Sequence, residues 1–177
     1  MDEHRVGLKP ILRRVWARRG QPLRAVVRPR YEWEYVYGFV QPDTGATEWL
    51  LLPTVNTAVF SATLAHFAQA QGVGASKQIV LALDGAGWHS GTAVQVPDGL
   101  HLVPLPPYSP ELQPAERLWP LVDEPLANRA FTTLPALDAV LGDRCVYLAD
   151  HPAVVCGYTA FHWWPPNTAL PEAITVS

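Results

Sequence analysis

Three acidic side chains stand next to the ends of separate predicted elements, where divalent metal ions could use them. Asp84 follows the apolar run 77–83, Glu116 falls in the first turn of a helix expected after Pro114, and Asp2 starts the first predicted strand. Carboxylate oxygens are the ligands that Mg²⁺ prefers, and two such ions can clamp the attacking and leaving oxygens of a phosphodiester. Sixteen acids allow many other combinations, so spacing alone leaves the choice open.

The surroundings of Asp84 suit a ligand. The run KQIVLAL (77–83) predicts a central strand that is covered on both faces. Sheets of α/β proteins place their chemistry at the carboxyl ends of such strands, and Gly85 and Gly87 would let a ligand approach the backbone closely. His89 follows in the same loop. It could contact a substrate or stabilise the loop as a partly buried histidine, and the sequence leaves both open.

Glu116 belongs to the stretch VPLPPYSPELQPAERLW (103–119). Its prolines predict a stiff loop followed by a helix that begins near Pro114. A carboxylate in the first turn of that helix is favoured by the positive helix end. Leu118 and Trp119 should point the opposite way, into the core. Pro120 and Pro125 should kink or interrupt the helix.

The remaining pattern predicts one mixed α/β domain. Alternation indicates strands at 1–8, 31–41, 47–53 and 100–105, and the second and third form a hairpin around Pro42 and Gly45. Helical spacing is found at 56–71 and 134–150, with shorter helices expected near 91–94 and 152–160. We expect a central mixed sheet, made of an antiparallel hairpin and parallel strands, flanked by helices. The acids expected to face water on the hairpin are Glu32, Glu34 and Glu48.

The charge distribution is asymmetric. The chain has a net charge of −3, yet residues 1–30 contain nine of its 13 Lys and Arg against only Asp2 and Glu3. Such a segment suits a polyanion, and arginine suits phosphate geometry, although a solvated surface loop would look the same. Trp16 in this segment is expected to be a packing anchor rather than a surface that stacks on DNA.

The cysteine spacing and the hydropathy of the chain indicate its expected compartment. Cys145 and Cys156 have neither a zinc-knuckle spacing nor a disulfide framework, so we expect reduced, mostly buried thiols. No apolar run approaches the length of a membrane span, and the N-terminus lacks the apolar segment of a signal peptide. We therefore expect a cytoplasmic protein without a membrane partner.

Several stretches together resemble the catalytic domain of IS630-family insertion-sequence transposases, within the Tc1/mariner superfamily. They are LPPYSPELQPAERLW (105–119), IVLALDGAGWH (79–89) and DEHRVGLKP (2–10). The resemblance covers residues 1–150 and implies an RNase H-like fold, with 151–177 as a C-terminal helix and irregular tail of the same domain. It also implies that Asp2, Asp84 and Glu116 bind two Mg²⁺ or Mn²⁺ ions, with Glu111 as a bystander. Gly85 stands where the family usually has asparagine.

The resemblance implies a DDE transposase that cleaves DNA at transposon ends and transfers the freed 3′-OH into target DNA at TA dinucleotides. The implied partners are the terminal inverted repeats, a second copy of the chain and a separately encoded helix-turn-helix half, in a bacterial, nucleoid-associated setting. The residues expected to contact DNA are Arg13, Arg14, Arg18, Arg19 and His89. One alternative is an inactive remnant that binds DNA at most. Another is an unrelated interaction domain with Trp163 and Trp164 on its partner surface, which predicts that the three acids lie far apart.

Overall fold

The computed structural model of the chain describes residues 1–20 and 30–160. Its elements follow the predicted order, except that 91–94 forms turns rather than a helix. The strands are β1 (Asp2–Gly7), β2 (Trp33–Gln41), β3 (Ala46–Leu52), β4 (Ile79–Leu83) and β5 (Leu100–Pro104). The α-helices are α1 (Thr57–Gln71), α2 (Trp119–Asp123), α3 (Leu134–Asp150) and α4 (Pro152–Thr159). Short 3₁₀ helices lie at Pro110–Leu112, Pro114–Leu118 and Glu124–Leu126.

The strands combine antiparallel and parallel pairing, as predicted. β1, β2 and β3 form an antiparallel sheet in which Asp2 lies opposite Gly38, whereas β4 and β5 pair in parallel. The two ladders are separate, but the amino group of Met1 donates to the carbonyl oxygen of Ala82 at 2.7 Å. The start of β1 therefore lies beside β4. The expectation that β4 is covered on both faces is wrong at Val80, which is 68% exposed.

Strand alternation divides β1 between two hydrophobic cores. Val6 and Leu8 belong to the core that contains buried residues of α2, α3 and α4. Met1 belongs to the other core, together with Tyr37 and with Phe60 of α1. Because successive side chains of a strand point to opposite faces, Asp2 and Glu3 must point to different sides of the sheet. This alternation decides what each of the two acids can contact.

Gly38 permits a close approach between β2 and the turn that follows Pro114. A Cβ atom at Gly38 would lie 3.0 Å from the ring of Trp119 and 3.1 Å from Leu118. Any larger residue would therefore push this turn away from the sheet. Since Gly38 lies opposite Asp2 in the ladder, the same contact brings Trp119 next to Asp2. Leu118 and Trp119 are both buried, as predicted.

Helix ends and the last described helix follow the sequence signals. The side chain of Asn56 accepts a hydrogen bond from Val59 N at the start of α1, and Gly72 ends that helix with φ 64°. α4 packs on the same core as β1, because Val155 is fully buried there. The predicted tail from residue 161 onward, including Trp163 and Trp164, lies outside the described residues.

The hairpin prediction is wrong in one respect, because helices cover both faces of the antiparallel sheet. Glu34 is only 7% exposed and lies near Asp138 of α3, whereas Glu48 is half-buried and accepts a hydrogen bond from Gln71 at 2.9 Å. Glu32 alone among the three hairpin acids is exposed. The strands themselves are confirmed, but no local sequence pattern indicates that α3 packs against this face.

Two further expectations concern Trp16 and the cysteines. Trp16 is fully exposed, so the prediction that it is a packing anchor is wrong. Both cysteines are free thiols; Cys145 is buried and Cys156 is half-buried. Burial raises the pKa of Cys145 to about 12, which excludes a reactive thiolate there.

No helix within the described ranges is long and apolar enough to span a membrane.

Candidate functional site

Asp2 is buried, and both of its carboxylate oxygens accept hydrogen bonds. The backbone N–H of Glu3 donates to Oδ1 at 2.9 Å, and the indole Nε1–H of Trp119 donates to Oδ2 at 2.7 Å. The Trp119 ring is itself stacked on His4, with ring centroids 4.9 Å apart. Asp2 therefore has a defined orientation at the beginning of β1, although it is the second residue of the sequence.

Glu116 lies close enough to Asp2 for the two negative charges to interact. The pKa of Asp2 is raised to about 6, mainly by burial and in part by the charge of Glu116, while the hydrogen bond from Trp119 opposes this rise. Glu116 is exposed on the 3₁₀ helix Pro114–Leu118, where its backbone N–H donates to Gln113 O at 3.1 Å. The helix expected at this position thus begins as a 3₁₀ helix.

Gln113 connects the loop that carries Glu116 to the first strand. Its side chain is buried, and its Nε2 donates to the carbonyl oxygen of Met1 at 3.0 Å. A buried amide must satisfy its polar atoms, so this bond fixes the loop relative to Asp2. The sequence reasoning missed this residue. A lone polar residue between Leu112 and Pro114 in an ordered loop was the available signal.

Asp84 directly follows β4 and is half-exposed. Its Oδ1 accepts from Ala86 N at 3.0 Å and lies 2.8 Å from Nδ1 of His89. Burial lowers the pKa of the Met1 amino group to about 6, opposed by the charges of Asp2, Glu3 and Asp84. Asp84 is therefore close enough to the start of β1 for its charge to act there.

His89 lies between two carboxylates. Its Nε2 is 2.8 Å from Oε1 of Glu3, its Nδ1 faces Asp84, and its side chain is only 1% exposed. Burial by itself would lower the pKa of His89, but Glu3 and then Asp84 outweigh burial and raise it. The ring also packs on Phe60, with centroids 4.5 Å apart. Sequence reasoning missed Glu3, which strand alternation could have placed on the side facing α1.

The basic segment starts beside these residues. The side-chain oxygen of Asn128 accepts from Arg13 N at 3.0 Å, and the Arg13 guanidinium donates to Pro120 O at 3.0 Å. The segment is thus anchored to α2, which follows the turn that carries Glu116. All four predicted DNA-contacting arginines are exposed: Arg13, Arg14, Arg18 and Arg19.

The donor set suits a hard divalent cation, although the described residues contain no group of three or more potential ligands at metal-binding distances. Asp2 and Glu116 are like charges whose proximity raises the pKa of Asp2, and a cation between them would relieve this repulsion. A cavity of about 710 Å³ lies between the hairpin and β4. Its described lining includes Met1 and Gln113 but none of the three acids, so the acids lie outside this cavity.

Comparison with known proteins places this arrangement in a family. The family of DDE superfamily endonucleases (DDE_3) matches residues 1–138, a range that includes Asp2, Asp84 and Glu116. The uncharacterized protein y4pE/y4sA of Sinorhizobium fredii (strain NBRC 101917 / NGR234) is 41% identical over 100 residues. That alignment covers 56% of this chain and 73% of the relative.

Solved structures of Mos1 transposase have a similar fold. The Mos1 mariner paired end complex with Mn has a TM-score of 0.61 at 18% identity, over 90% of this chain and 52% of the Mos1 chain. The complex with Mg has a TM-score of 0.59 at 19% identity, over the same shares of 90% and 52%. The paired-end complex with the left transposon end has a TM-score of 0.57 at 18% identity, over 88% and 53%. The chain therefore spans about half the length of these structures.

The two comparisons bear on the fold and on the family of the chain. The similarity to Mos1 confirms the predicted RNase H-like fold, with its antiparallel and parallel strands flanked by helices. The family match extends over most of the chain, from β1 into α3. The chain belongs to the DDE superfamily endonucleases.

Proposed function

We propose that this chain is the catalytic domain of an IS630-type transposase, which cleaves DNA at the ends of its element and transfers the freed 3′-OH into target DNA. The observation that carries the proposal is the orientation of Asp2, a buried carboxylate whose oxygens accept from Trp119 and Glu3 beside Glu116. Family membership and the Mos1 complexes with transposon-end DNA, Mn and Mg support it.

Each acid has a part in this proposal. Asp2, Asp84 and Glu116 would hold two Mg²⁺ or Mn²⁺ ions. Such ions supply an activated water and stabilise the leaving 3′ oxygen of the phosphodiester. The Trp119 N–H favours the ionised form of Asp2, which is the form that binds a cation. Gln113 fixes the Glu116 loop against β1, so the spacing of the ligands is set by packed elements.

The exposed arginines of the basic segment would bind the DNA partner. Arg13, Arg14, Arg18 and Arg19 would contact the phosphates of the terminal inverted repeats and of a TA-type target. Residues 1–150 would form the catalytic domain, with α4 and the tail from residue 161 as parts of the same domain. A homodimer would bring two element ends together, and a separately encoded helix-turn-helix half would recognise them.

The proposal predicts metal-dependent DNA cleavage by the purified full chain. Duplex DNA containing the ends of the element is incubated with Mg²⁺ or Mn²⁺, and a parallel sample contains chelator. We expect strand nicks at the element ends only in the presence of metal. If neither ion supports nicking while the DNA still binds, the chain is a catalytically inactive, DNA-binding remnant, and the enzymatic proposal is wrong.

The basic segment should contribute to DNA affinity in a salt-dependent way. We expect the triple variant Arg14→Ala, Arg18→Ala and Arg19→Ala to bind duplex DNA more weakly, because fewer counterions are released. The slope of log affinity against log salt should fall by about 2 to 3, at roughly 0.9 per lost phosphate contact. Fluorescence anisotropy between low and moderate salt measures this slope.

The matched control is Lys77→Ala, since Lys77 is a basic surface residue whose ammonium donates to Gln71 O near the end of α1. It should leave the slope unchanged. An equal loss of affinity in both variants would mean that DNA contacts the protein without using the basic segment.

A further inference from the structure

A buried hydrogen-bonded chain runs from Glu3 through His89 to Asp84. Nε2 of His89 is 2.8 Å from Oε1 of Glu3, whereas Nδ1 hydrogen-bonds to the main-chain carbonyl oxygen of Asp84 at 3.3 Å and lies 2.8 Å from Oδ1 of the same residue. An ionised carboxylate and a carbonyl oxygen accept but do not donate, so both ring nitrogens donate in this arrangement. The side chains of Glu3 and His89 are almost completely buried, whereas Asp84 reaches the surface.

Glu3 lies in a buried, largely apolar environment that disfavours a carboxylate. It lies opposite the fully buried Tyr37 in the ladder, on the side of the sheet that packs on α1. Burying a carboxylate costs free energy unless a partner compensates, and His89 is that partner. An apolar residue would fill the same position without this cost. We attribute the presence of an acid at this position to its bond with His89, because His89 in turn contacts Asp84.

Without Glu3, the ring of His89 would lose the acceptor that fixes its Nε2–H. The ring could then rotate, and its Nδ1–H would no longer be directed at Asp84. Groups that orient a metal ligand through one intervening hydrogen bond affect metal affinity strongly, by about 10- to 100-fold. Asp84 is half-exposed and follows a strand end, and its carboxylate also accepts a hydrogen bond from Ala86 N at 3.0 Å.

Building on the proposed function, we infer that Glu3 is a positioning residue, which fixes the ring of His89 so that His89 orients the carboxylate of Asp84 toward the metal site. Glu3 itself contacts neither DNA nor metal. Glu3 lies on the face of β1 opposite Asp2. Of these two neighbouring acids, Asp2 would bind metal directly, and Glu3 would act through His89 on the other side of the sheet. His89 then acts through Asp84 and not by touching DNA.

The test compares Mn²⁺ affinity among variants of the full chain, measured by calorimetry without DNA. Glu3→Ala and His89→Gln should each raise the Kd for Mn²⁺ by about 10- to 100-fold. Glu3→Gln retains an oxygen that accepts from His89, and it should stay within about threefold of the unmodified chain. His66→Gln is the matched histidine control, because His66 is exposed on α1 and its Nε2 is 3.7 Å from Glu48.

A double-mutant cycle separates positioning from general destabilisation. If Glu3 acts through His89, Glu3→Ala combined with His89→Gln should bind Mn²⁺ no more than about twofold more weakly than His89→Gln alone. A purely structural role would lower the thermal midpoint without changing the Kd of the folded protein. Additive losses in the cycle, or an unchanged Kd in Glu3→Ala, would overturn the inference.

A metal-free measurement keeps this inference distinguishable from the proposed function. In protein with ¹⁵N-labelled histidine, the Nδ1–H proton of His89 should exchange slowly because Asp84 accepts it. Glu3→Ala should speed that exchange markedly, Glu3→Gln should preserve it, and His66→Gln should have no effect. If the chain binds no Mn²⁺ but this pattern holds, the nuclease proposal fails and the positioning role stands. If Mn²⁺ binds and the exchange is the same in all variants, the positioning role fails.

Discussion

Glu116→Gln should abolish metal-dependent DNA cleavage, whereas Glu111→Gln should leave it intact. Both acids are exposed and lie in the same proline-rich stretch, on the 3₁₀ helices Pro110–Leu112 and Pro114–Leu118. Of these two acids, only Glu116 is close enough to Asp2 for its charge to raise the pKa of that carboxyl. Removing one anionic ligand should cost several kcal/mol of transition-state stabilisation, which corresponds to about a thousandfold loss of rate or more.

The pair is well matched because neither substitution disturbs the core. Exposed Glu→Gln changes usually alter stability by less than about 0.5 kcal/mol, so thermal midpoints should be nearly equal. Single-turnover cleavage at saturating Mn²⁺ is the appropriate measurement. Equal activity of the two variants would remove Glu116 from the catalytic set. A loss of cleavage in Glu111→Gln alone would assign to Glu111 the role that we propose for Glu116.

The sequence predicted most of what positions the acids. The strand before Asp84, the proline-rich turn before Glu116 and the alternation of β1 each have a local physical cause, and each was found where expected, although Val80 of that strand is exposed. Helix α3 was predicted with its observed bounds, 134–150, because a stripe of apolar residues at helical spacing is a local signal.

The contacts that were missed join distant parts of the chain. Trp119 donates to Asp2 across 117 positions, and His89 approaches Glu3 across 86. Such pairs depend on how the sheets and helices pack, which no short window of sequence encodes. Trp16 shows the converse failure, because aromatic character suggested burial where the packed chain leaves the ring fully exposed. The type of a residue indicates which contacts its side chain can form, whereas the packing of the sheets and helices determines which contacts it does form.

The burial of Glu34 against α3 predicts that the protein loses stability as pH rises from about 5 to 8. Burial, together with the neighbouring carboxyl group of Asp138, raises the pKa of Glu34 to about 8. In the unfolded chain this carboxyl releases its proton near its ordinary pKa of 4.5. Between these values the folded state binds more protons than the unfolded state, so the free energy of unfolding falls with rising pH.

Glu34→Gln should remove most of this loss, because the amide can donate to the ionised carboxylate of Asp138 without releasing a proton. We expect the variant to be more stable than the unmodified chain by about 1 to 3 kcal/mol at pH 8, and nearly equal to it at pH 5. Urea unfolding at the two pH values measures the difference. Asp138→Asn should act in the same direction, since either substitution leaves one donor and one acceptor.

Glu32→Gln is the matched control, because Glu32 is exposed just before β2 and lies 4.0 Å from Arg30. It should leave the pH dependence unchanged. If Glu34→Gln and Glu32→Gln behave alike, the buried carboxyl pair does not control stability in this range. If Glu34→Gln destabilises the chain at both pH values, the pair contributes a favourable interaction that the amide cannot replace. The expected gain at pH 8 thus separates a proton-sharing carboxyl pair from an ordinary buried hydrogen bond.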